Sequence, residues 1–498
     1  MKPYECYLKS HGQLQIELHA RYPLKPGEKK VDYFLDMYIF TPSQLDMNKK
    51  HYGVDQFLHD LQCYTRYTHP SLPLARLLDP DCPISPLTKI RKALDIESAY
   101  NDDMNADELL YELRTLVNIY RRELREMRNA IRQRIDGGAS SEELRQKMEA
   151  MLGEEDELLL QVRNLHGRFL DPRIPEMLRE GLRNADEALS IKTEKELFRL
   201  YHMIENRNDF RDLSDSILAR LKAERLDRMQ AGYATIISTG TPAENDRFNY
   251  YDSMLKRWAQ STMYMDVTPS KIASHVGNIV AGFAAGLAMT FAVLVTIFTQ
   301  SNFKQNSLPW ALLIIFAYIV KDRLKELTRN IFVASLPGLI SDVSTKLVDP
   351  ANRRQVGVTR SWVRFCGPDD IDENILRFRD AHSLPFRKLL PPEDIIHYQK
   401  RIRLDSDSFL AAHSRIDSIT EILRLNMRKW LSEMDDPINV LEYLDDNGQP
   451  AIIESNRGYH VNIILHLSSD QKGMDDILKR YRLILNRNGI IGVEELEL

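Results

Sequence analysis

The sequence predicts a membrane-anchored, mainly α-helical protein. It has a central two-helix transmembrane hairpin, a long cytoplasmic, coiled-coil-like helical region and small α+β domains at both ends. Three observations predict it. From Ile272 to Phe303 the chain carries no Lys, Arg, Asp or Glu, and about 20 apolar residues suffice for a helix to cross a bilayer core. Leu110, Leu113, Val117, Tyr120, Leu124, Met127 and Ile131 recur at alternating steps of three and four, the seam of paired helices. Towards both ends apolar and polar residues alternate, the period of strands.

The first region, 1–100, is expected to be a small α+β domain. Gln13 to His19 and Val31 to Phe40 alternate as two strands, and Pro23, Pro26 and Gly27 between them suggest the loop of a hairpin. Val54 to Thr65 reads as a short helix. Pro70, Pro73, Pro80, Pro83 and Pro86 then mark an irregular domain boundary.

Region 101–238 is helical. Asn105 with Glu108 suggests a capping box at the start of the seam. Gly137 and Gly138 break it, and Ser140 with Glu143 opens a second helix whose seam position at Glu155 is charged. Two such helices suit a fold-back hairpin, either within a bundle with Pro175 to Asn206 and Phe210 to Met229, or as a projecting arm or intermolecular coiled coil. Residues 239–271 read as linker and juxtamembrane segment because Thr239 to Asn249 is polar with Gly240 and Pro242.

Region 272–330 is the expected hairpin with its juxtamembrane helix. Leu308 to Val320 is short for a span, so Trp310 and Tyr318 would serve as aromatic anchors while Lys321 and Arg323 snorkel. Lys256, Arg257 and Lys271 before the hairpin and Lys321, Arg323, Lys325 and Arg329 after it outnumber Lys304 at the turn. The positive-inside rule then predicts a multi-pass inner (plasma) membrane protein with both termini cytoplasmic. Ser274, Asn278, Gly282, Gly286 and Thr290 fall four apart, a small-residue face for packing against the second span or a second copy.

The remainder, 331–498, is expected to be a cytoplasmic α+β domain. Val356 to Phe365 looks extended, whereas Pro392 to Lys400, Asp407 to Glu433 and Met474 to Leu485 look helical. Asn447-Gly448 marks a tight hairpin between Val440 to Leu444 and Ala451 to Ser455, and Tyr459 to Leu467 alternates as a further strand.

Chemistry is less legible. With 498 residues, a formal charge of −5 and 28% charged residues, the chain is not nucleic-acid-binding as a whole, and no specific nucleic acid is predicted. Cys6, Cys63, Cys82 and Cys366 have neither disulfide-framework nor zinc spacing, and no cofactor or metal is expected. His275, the run Asp369, Asp370, Asp372 and Glu373, and the pair His460 and His466 read as structural. Phosphate-loop, dinucleotide, zincin and nucleophile-elbow motifs are absent from the sequence. The basic-aromatic cluster Arg353, Arg354, Arg360, Trp362, Arg364 and Phe365, with Lys321 and Arg323, is the candidate contact for anionic lipid or phosphate. The expected function is a scaffold, adaptor or signal-relay component. Its partners would be the bilayer, a cytoplasmic protein bound through the helical region and, by self-association, a second copy. An oligomerising membrane-perturbing effector and an enzyme with a site outside known motifs are the alternatives.

Overall fold

A computed structural model describes residues 5–24, 27, 30–68, 72–95, 103–237, 239–269, 272–304, 307–335, 341–349, 353–381, 392–413, 415–416, 418–470 and 474–496. The chain begins with β1 (Glu5–His11), β2 (Gln15–Pro23), β3 (Val31–Thr41), α1 (Gly53–Asp60) and β4 (Leu61–Thr68). Helices α2 (Leu74–Leu78), α3 (Pro86–Asp95), α4 (Asp103–Asp136), α5 (Ser141–Phe169), α6 (Glu176–Ile204), α7 (Arg211–Gln230) and α8 (Pro242–Gln260) follow. Next come β5 (Asp266–Pro269), α9 (Ile272–Asn302), α10 (Leu308–Ser335), β6 (Val343–Val348), β7 (Gln355–Cys366), α11 (Glu373–Asp380), β8 (Asp394–Leu404), α12 (Ser406–Ala412) and β9 (Ser418–Asn426). The chain closes with α13 (Arg428–Ser432), β10 (Ile438–Leu444), β11 (Pro450–Asn456), β12 (Tyr459–Ser469), β13 (Ile477–Asn486) and β14 (Gly489–Leu496).

These elements form two compact units. The first comprises Met1–Thr65, Met265–Ala412 and Ile419–Leu498, so both ends of the chain build it together. Its large sheet is antiparallel with strand order β14-β13-β12-β3-β8-β7-β6-β5, and a second sheet has order β1-β2-β9-β4. The two alternating segments near the start therefore do not pair with each other. β2 lies between β1 and β9, while β3 lies between β12 and β8.

Strand alternation gives β8 two faces with different chemistry. Ile396, Tyr398, Lys400, Ile402 and Leu404 are buried on the inner face. There Lys400 hydrogen-bonds to Glu421 of β9, and the Tyr22 hydroxyl of β2 donates to the same carboxylate at 3.2 Å. This buried ion pair ties the large sheet to the small one. The other face carries His397, Gln399, Arg401 and Arg403. Its far end is covered by α11, where Ile371 and Ile375 pack with Phe40, Ile395 and Ile464. Gly357 is required where β7 runs beside β8, since a Cβ there would stand 2.7 Å from the Arg403 carbonyl oxygen.

The mainly α expectation is overturned: the first unit is built on an eight-stranded and a four-stranded antiparallel sheet. Pro392 to Lys400 belongs to β8 and Met474 to Leu485 largely to β13, while Asp407 to Glu433 divides into α12, β9 and α13. The two-helix transmembrane hairpin is corrected as well. Among the described residues one helix, Ala281–Asn302, is long and apolar enough to cross a membrane. In α10 the apolar run ends at Lys321, giving about 20 Å of helix at 1.5 Å per residue against a hydrocarbon core of about 30 Å. The multi-pass placement falls with the second span.

The second unit, Arg66–Tyr264 with His413–Ser418, is a helical bundle. Leu110, Leu113, Val117, Tyr120, Leu124 and Ile131 of α4 lie in one buried cluster with Leu144, Met148, Leu158 and Val162 of α5 and Leu182, Leu189, Leu197 and Leu200 of α6. Their apolar faces are occupied within the bundle, so neither helix is a projecting arm. The Ser140 hydroxyl accepts from the Glu143 amide, as its spacing predicts, whereas α4 begins at Asp103, ahead of Asn105. The expected linker at Thr239 to Asn249 is instead the start of α8, opened by a Thr241/Glu244 capping box. Glu155, fully buried, accepts from the Tyr120 hydroxyl at 3.2 Å, and burial pushes its carboxyl up to about 8.

Two predictions follow from these buried groups. Lys400→Met leaves Glu421 without its counter-ion inside the sheets and should cost about 3–5 kcal/mol. The double variant Lys400→Met/Glu421→Leu should recover much of this in chemical denaturation, and a double variant as unstable as the single would contradict the account. Because Glu155 titrates higher when folded, it costs stability progressively as pH rises from about 4.5 to about 8. Glu155→Gln should therefore raise the thermal midpoint more at pH 8 than at pH 5, and equal shifts would count against it.

Candidate functional site

The hairpin of α9 and α10 is inserted between two neighbouring strands. β5 pairs antiparallel with β6 from Asp266↔Val348 to Pro269↔Thr345, so the chain departs and returns at one end of the sheet. The helices pack through a stripe that recurs every three or four residues. Ala284, Ala288 and Thr299 of α9 and Ala317 of α10 are buried in it. Small side chains there let the two backbones approach closely. Thr290, Thr296 and Thr299 donate their hydroxyls to carbonyl oxygens four residues earlier in α9, which satisfies them without water.

The glycine face lies elsewhere. A Cβ added at Gly282 or Gly286 meets nothing within 4 Å, and Thr290 is exposed beside them. These residues therefore do not pack against α10; the alanines two positions on do. The side chains of Ser274 and Asn278 lie outside the described residues, as does that of His275. Outward-facing Val293, Leu294, Ile297, Phe298, Leu312, Ile315, Phe316 and Ile319 are 49–64% exposed. Folded proteins in water rarely leave so continuous an apolar surface uncovered. Lys321 sits 3.7 Å from the Tyr318 ring centroid, and Arg323 pairs with Glu326 at 3.4 Å, at the level where α10 turns from apolar to charged.

The basic cluster is divided by the fold. Arg353 and Arg354 are exposed in the turn between β6 and β7, where Arg353 adopts a positive φ of 55°. That turn lies about 20 Å along β6 from the hairpin's root at 3.3 Å per residue. Arg360, Trp362 and Arg364 share the outer face of β7, and Val343, which opens β6 after the hairpin, is opposite Ser361. This half of the cluster stands at the root.

Pairing across the strands assembles the rest of the face, which linear sequence did not reveal. Ser344 is opposite Arg360, Arg360 opposite Arg401, and Arg401 opposite Phe34. One row further on, Trp362, Gln399 and Asp36 line up, and beyond them Arg364, His397 and Tyr38. Arg403 grips Asp32 with two bonds of 2.9 and 2.8 Å, and Arg401 donates to the same carboxylate. Burial would raise the Asp32 carboxyl, but the two guanidiniums outweigh it and hold it below the usual range. His397 and Gln399 take Asp36 at 2.8 and 3.1 Å. The register of β8 against β3 carries this information; a regular repeat within one segment would be the only signal visible beforehand.

Elsewhere, the acidic run is structural: the Asp372 side chain caps α11, and Asp370 accepts from the Gly367 amide. His466 of β12 pairs at 3.2 Å with Asp476, which precedes β13. Among the described residues no group of three His, Cys, Asp or Glu is arranged to hold a metal ion. Among the described residues the β10–β11 ribbon pairs with no other strand, and it exposes Val440, Leu441, Tyr443, Leu444, Ile452 and Ile453, with Glu442, Asp445, Asp446 and Glu454 as its charges. No family model, curated protein or solved structure matches the chain.

Because alanines form the α9–α10 contact, Ala288→Leu should destabilise the hairpin by about 1–3 kcal/mol through overpacking, whereas Gly286→Leu should be tolerated. Thermal unfolding of both variants in detergent reads the difference, and the reverse order would disprove the assignment.

Proposed function

We propose that the chain is a membrane-attached scaffold or signal-relay protein, held by the hairpin built on α9, with its sheets remaining on the face from which the hairpin enters. The carrying observation is the apolar surface of α9 and α10, exposed where a soluble fold would have covered it. Transferring one such Leu, Ile or Phe side chain out of water is worth about 1.5–3 kcal/mol, so a few suffice for stable attachment. Both α9 and the apolar run of α10 contribute, and the α10 run sets the depth of insertion. The pairing of β5 with β6 supports one-sided attachment, because the strands on either side of the hairpin must stay together. Lys304 near the tip can extend its ammonium towards a polar layer.

Several features favour a scaffold over a leak or an enzyme. Between Val276 and Val320 the one charged residue is Lys304 near the tip, so the middle of the hairpin carries no charge of the kind that marks transport paths. The β10–β11 ribbon supplies an exposed, acidic and apolar surface for a protein partner. The helical unit, whose seam is occupied by its own helices, supplies no such groove at the positions expected from sequence.

The full chain should float with phosphatidylcholine vesicles in a density gradient, and Leu294→Glu/Phe298→Glu should abolish flotation while leaving the strand signal in circular dichroism intact. A wild-type chain that stays in the aqueous fraction without detergent would sink the proposal. Thiol labelling of Ser301→Cys from the face opposite the sheets would also overturn one-sided attachment.

A further inference from the structure

We propose that Ser344, Arg360 and Arg401, with Arg364 at the rim, form a phosphate-binding site that takes the headgroup of an anionic phospholipid. The headgroup assignment rests on the membrane attachment proposed above; the phosphate chemistry does not. Three adjacent strands bring the residues into one row, Ser344 of β6 opposite Arg360 of β7 and Arg360 opposite Arg401 of β8. Neighbouring strands are about 4.8 Å apart, so the row is narrow enough for one tetrahedral anion to meet all three side chains.

Each member of the row has hydrogen-bonding capacity left over. The Ser344 hydroxyl is buried and has no partner, and Arg401 Nε is likewise buried and unpaired. Arg360, half-buried, engages no carboxylate or other acceptor among the described residues. A buried donor left without an acceptor costs roughly 1–3 kcal/mol. Two such donors beside an unpaired guanidinium are explained together by one missing acceptor.

Charge points the same way. Like charges directly opposite on neighbouring strands are unfavourable, yet Arg360 faces Arg401. The Asp32 carboxylate does not offset both, since Arg403 already holds it with two bonds and Arg401 takes the remaining position. Asp342, the nearest acid before β6, accepts from the Val363 amide at 2.8 Å. A phosphate between Arg360 and Arg401 would neutralise the pair, accept from Arg401 Nε and the Ser344 hydroxyl, and meet the guanidinium fork of Arg360.

Location selects the source. The row lies where β6 begins after the hairpin, whereas the turn arginines Arg353 and Arg354 stand at the strand's other end. Residues at the root of an inserted hairpin meet the headgroup layer, and anionic headgroups attract arginine there. Trp362, one position along the same face, is a built-in reporter.

The test titrates the full chain in detergent with dihexanoylphosphatidic acid, dihexanoylphosphatidylcholine and inorganic phosphate, following Trp fluorescence and assigning the signal with Trp362→Phe. Phosphatidic acid should change the Trp362 signal at concentrations at least tenfold below those needed for phosphatidylcholine. Arg360→Gln and Ser344→Ala should each weaken that response by tenfold or more, with thermal unfolding showing that they remain folded. If Arg360→Gln fails to fold, Arg360→Lys, which keeps the charge but loses the fork, should show a clear partial loss. Titrations of Arg360→Gln and Ser344→Ala that match wild type would overturn the site. A response to inorganic phosphate as strong as to phosphatidic acid would overturn the headgroup assignment. Failure of the wild type to float while phosphatidic acid still alters Trp362 would sink the attachment and spare the phosphate site. Flotation without any Trp362 response would do the opposite.

Discussion

The pairing of β5 with β6 governs the rest of the functional picture. Four opposed residue pairs, from Asp266↔Val348 to Pro269↔Thr345, clamp the two ends of a long apolar insertion against one another. A helix such as α9 with free ends could lie anywhere. Clamped here, it must come back, and α10 is the return path. The same clamp puts one half of β7 at the hairpin's root and sends the β6–β7 turn to the other end of the sheet. In the proposed attachment, hydrophobic transfer supplies the attraction to lipid, while the strand ladder supplies the direction.

Support for that clamp comes from the inside of the sheets. Lys400, Glu421 and Tyr22 form a polar contact beside Tyr33 and Tyr398, both nearly inaccessible to water. A buried ion pair is a poor source of net stability because both charges lose their hydration. Its value here is register. Slipping β8 by one residue would expose Lys400 and drive Arg401 into the core, so the inner pair protects the outer face on which Arg401 meets Arg360. In the helical unit Glu155 plays a different part, sitting at an apolar seam position as a neutral acid held by the Tyr120 hydroxyl.

Particular residues show where sequence reading succeeds and where it stops. The α4 and α5 seams were legible because their period is local: apolar residues three or four positions apart share the face that the bundle buries. β8 was misread because Lys400 interrupts its inner apolar series and His397, Arg401 and Arg403 make its outer series look like the wet face of a helix. β13 has the same difficulty, with Arg480 buried in a strand that also carries Lys479 and Arg482. The small-residue pattern through Gly282 and Gly286 was visible, but the alanine stripe offset from it makes the contact with α10, since helix rotation is fixed by the partner and not by the pattern. Arg360 and Arg364 were legible as a basic cluster; that Ser344 and Arg401 adjoin them was not, because strand pairing alone makes them neighbours.

By itself, the sequence determined what depends on near neighbours along the chain: the long helices, the Ser140 cap, the Asn447-Gly448 hairpin and one helix apolar enough for a membrane. These follow from periodicity and turn chemistry, which act over a few residues. Tertiary structure decided that both ends of the chain share one large sheet, that β5 and β6 hold the two ends of the α9–α10 insertion together, and that Ser344, Arg360 and Arg401 stand in one row across three strands. Those outcomes depend on pairing between residues tens to hundreds of positions apart, where the free energy lies in packing and register and leaves no local trace.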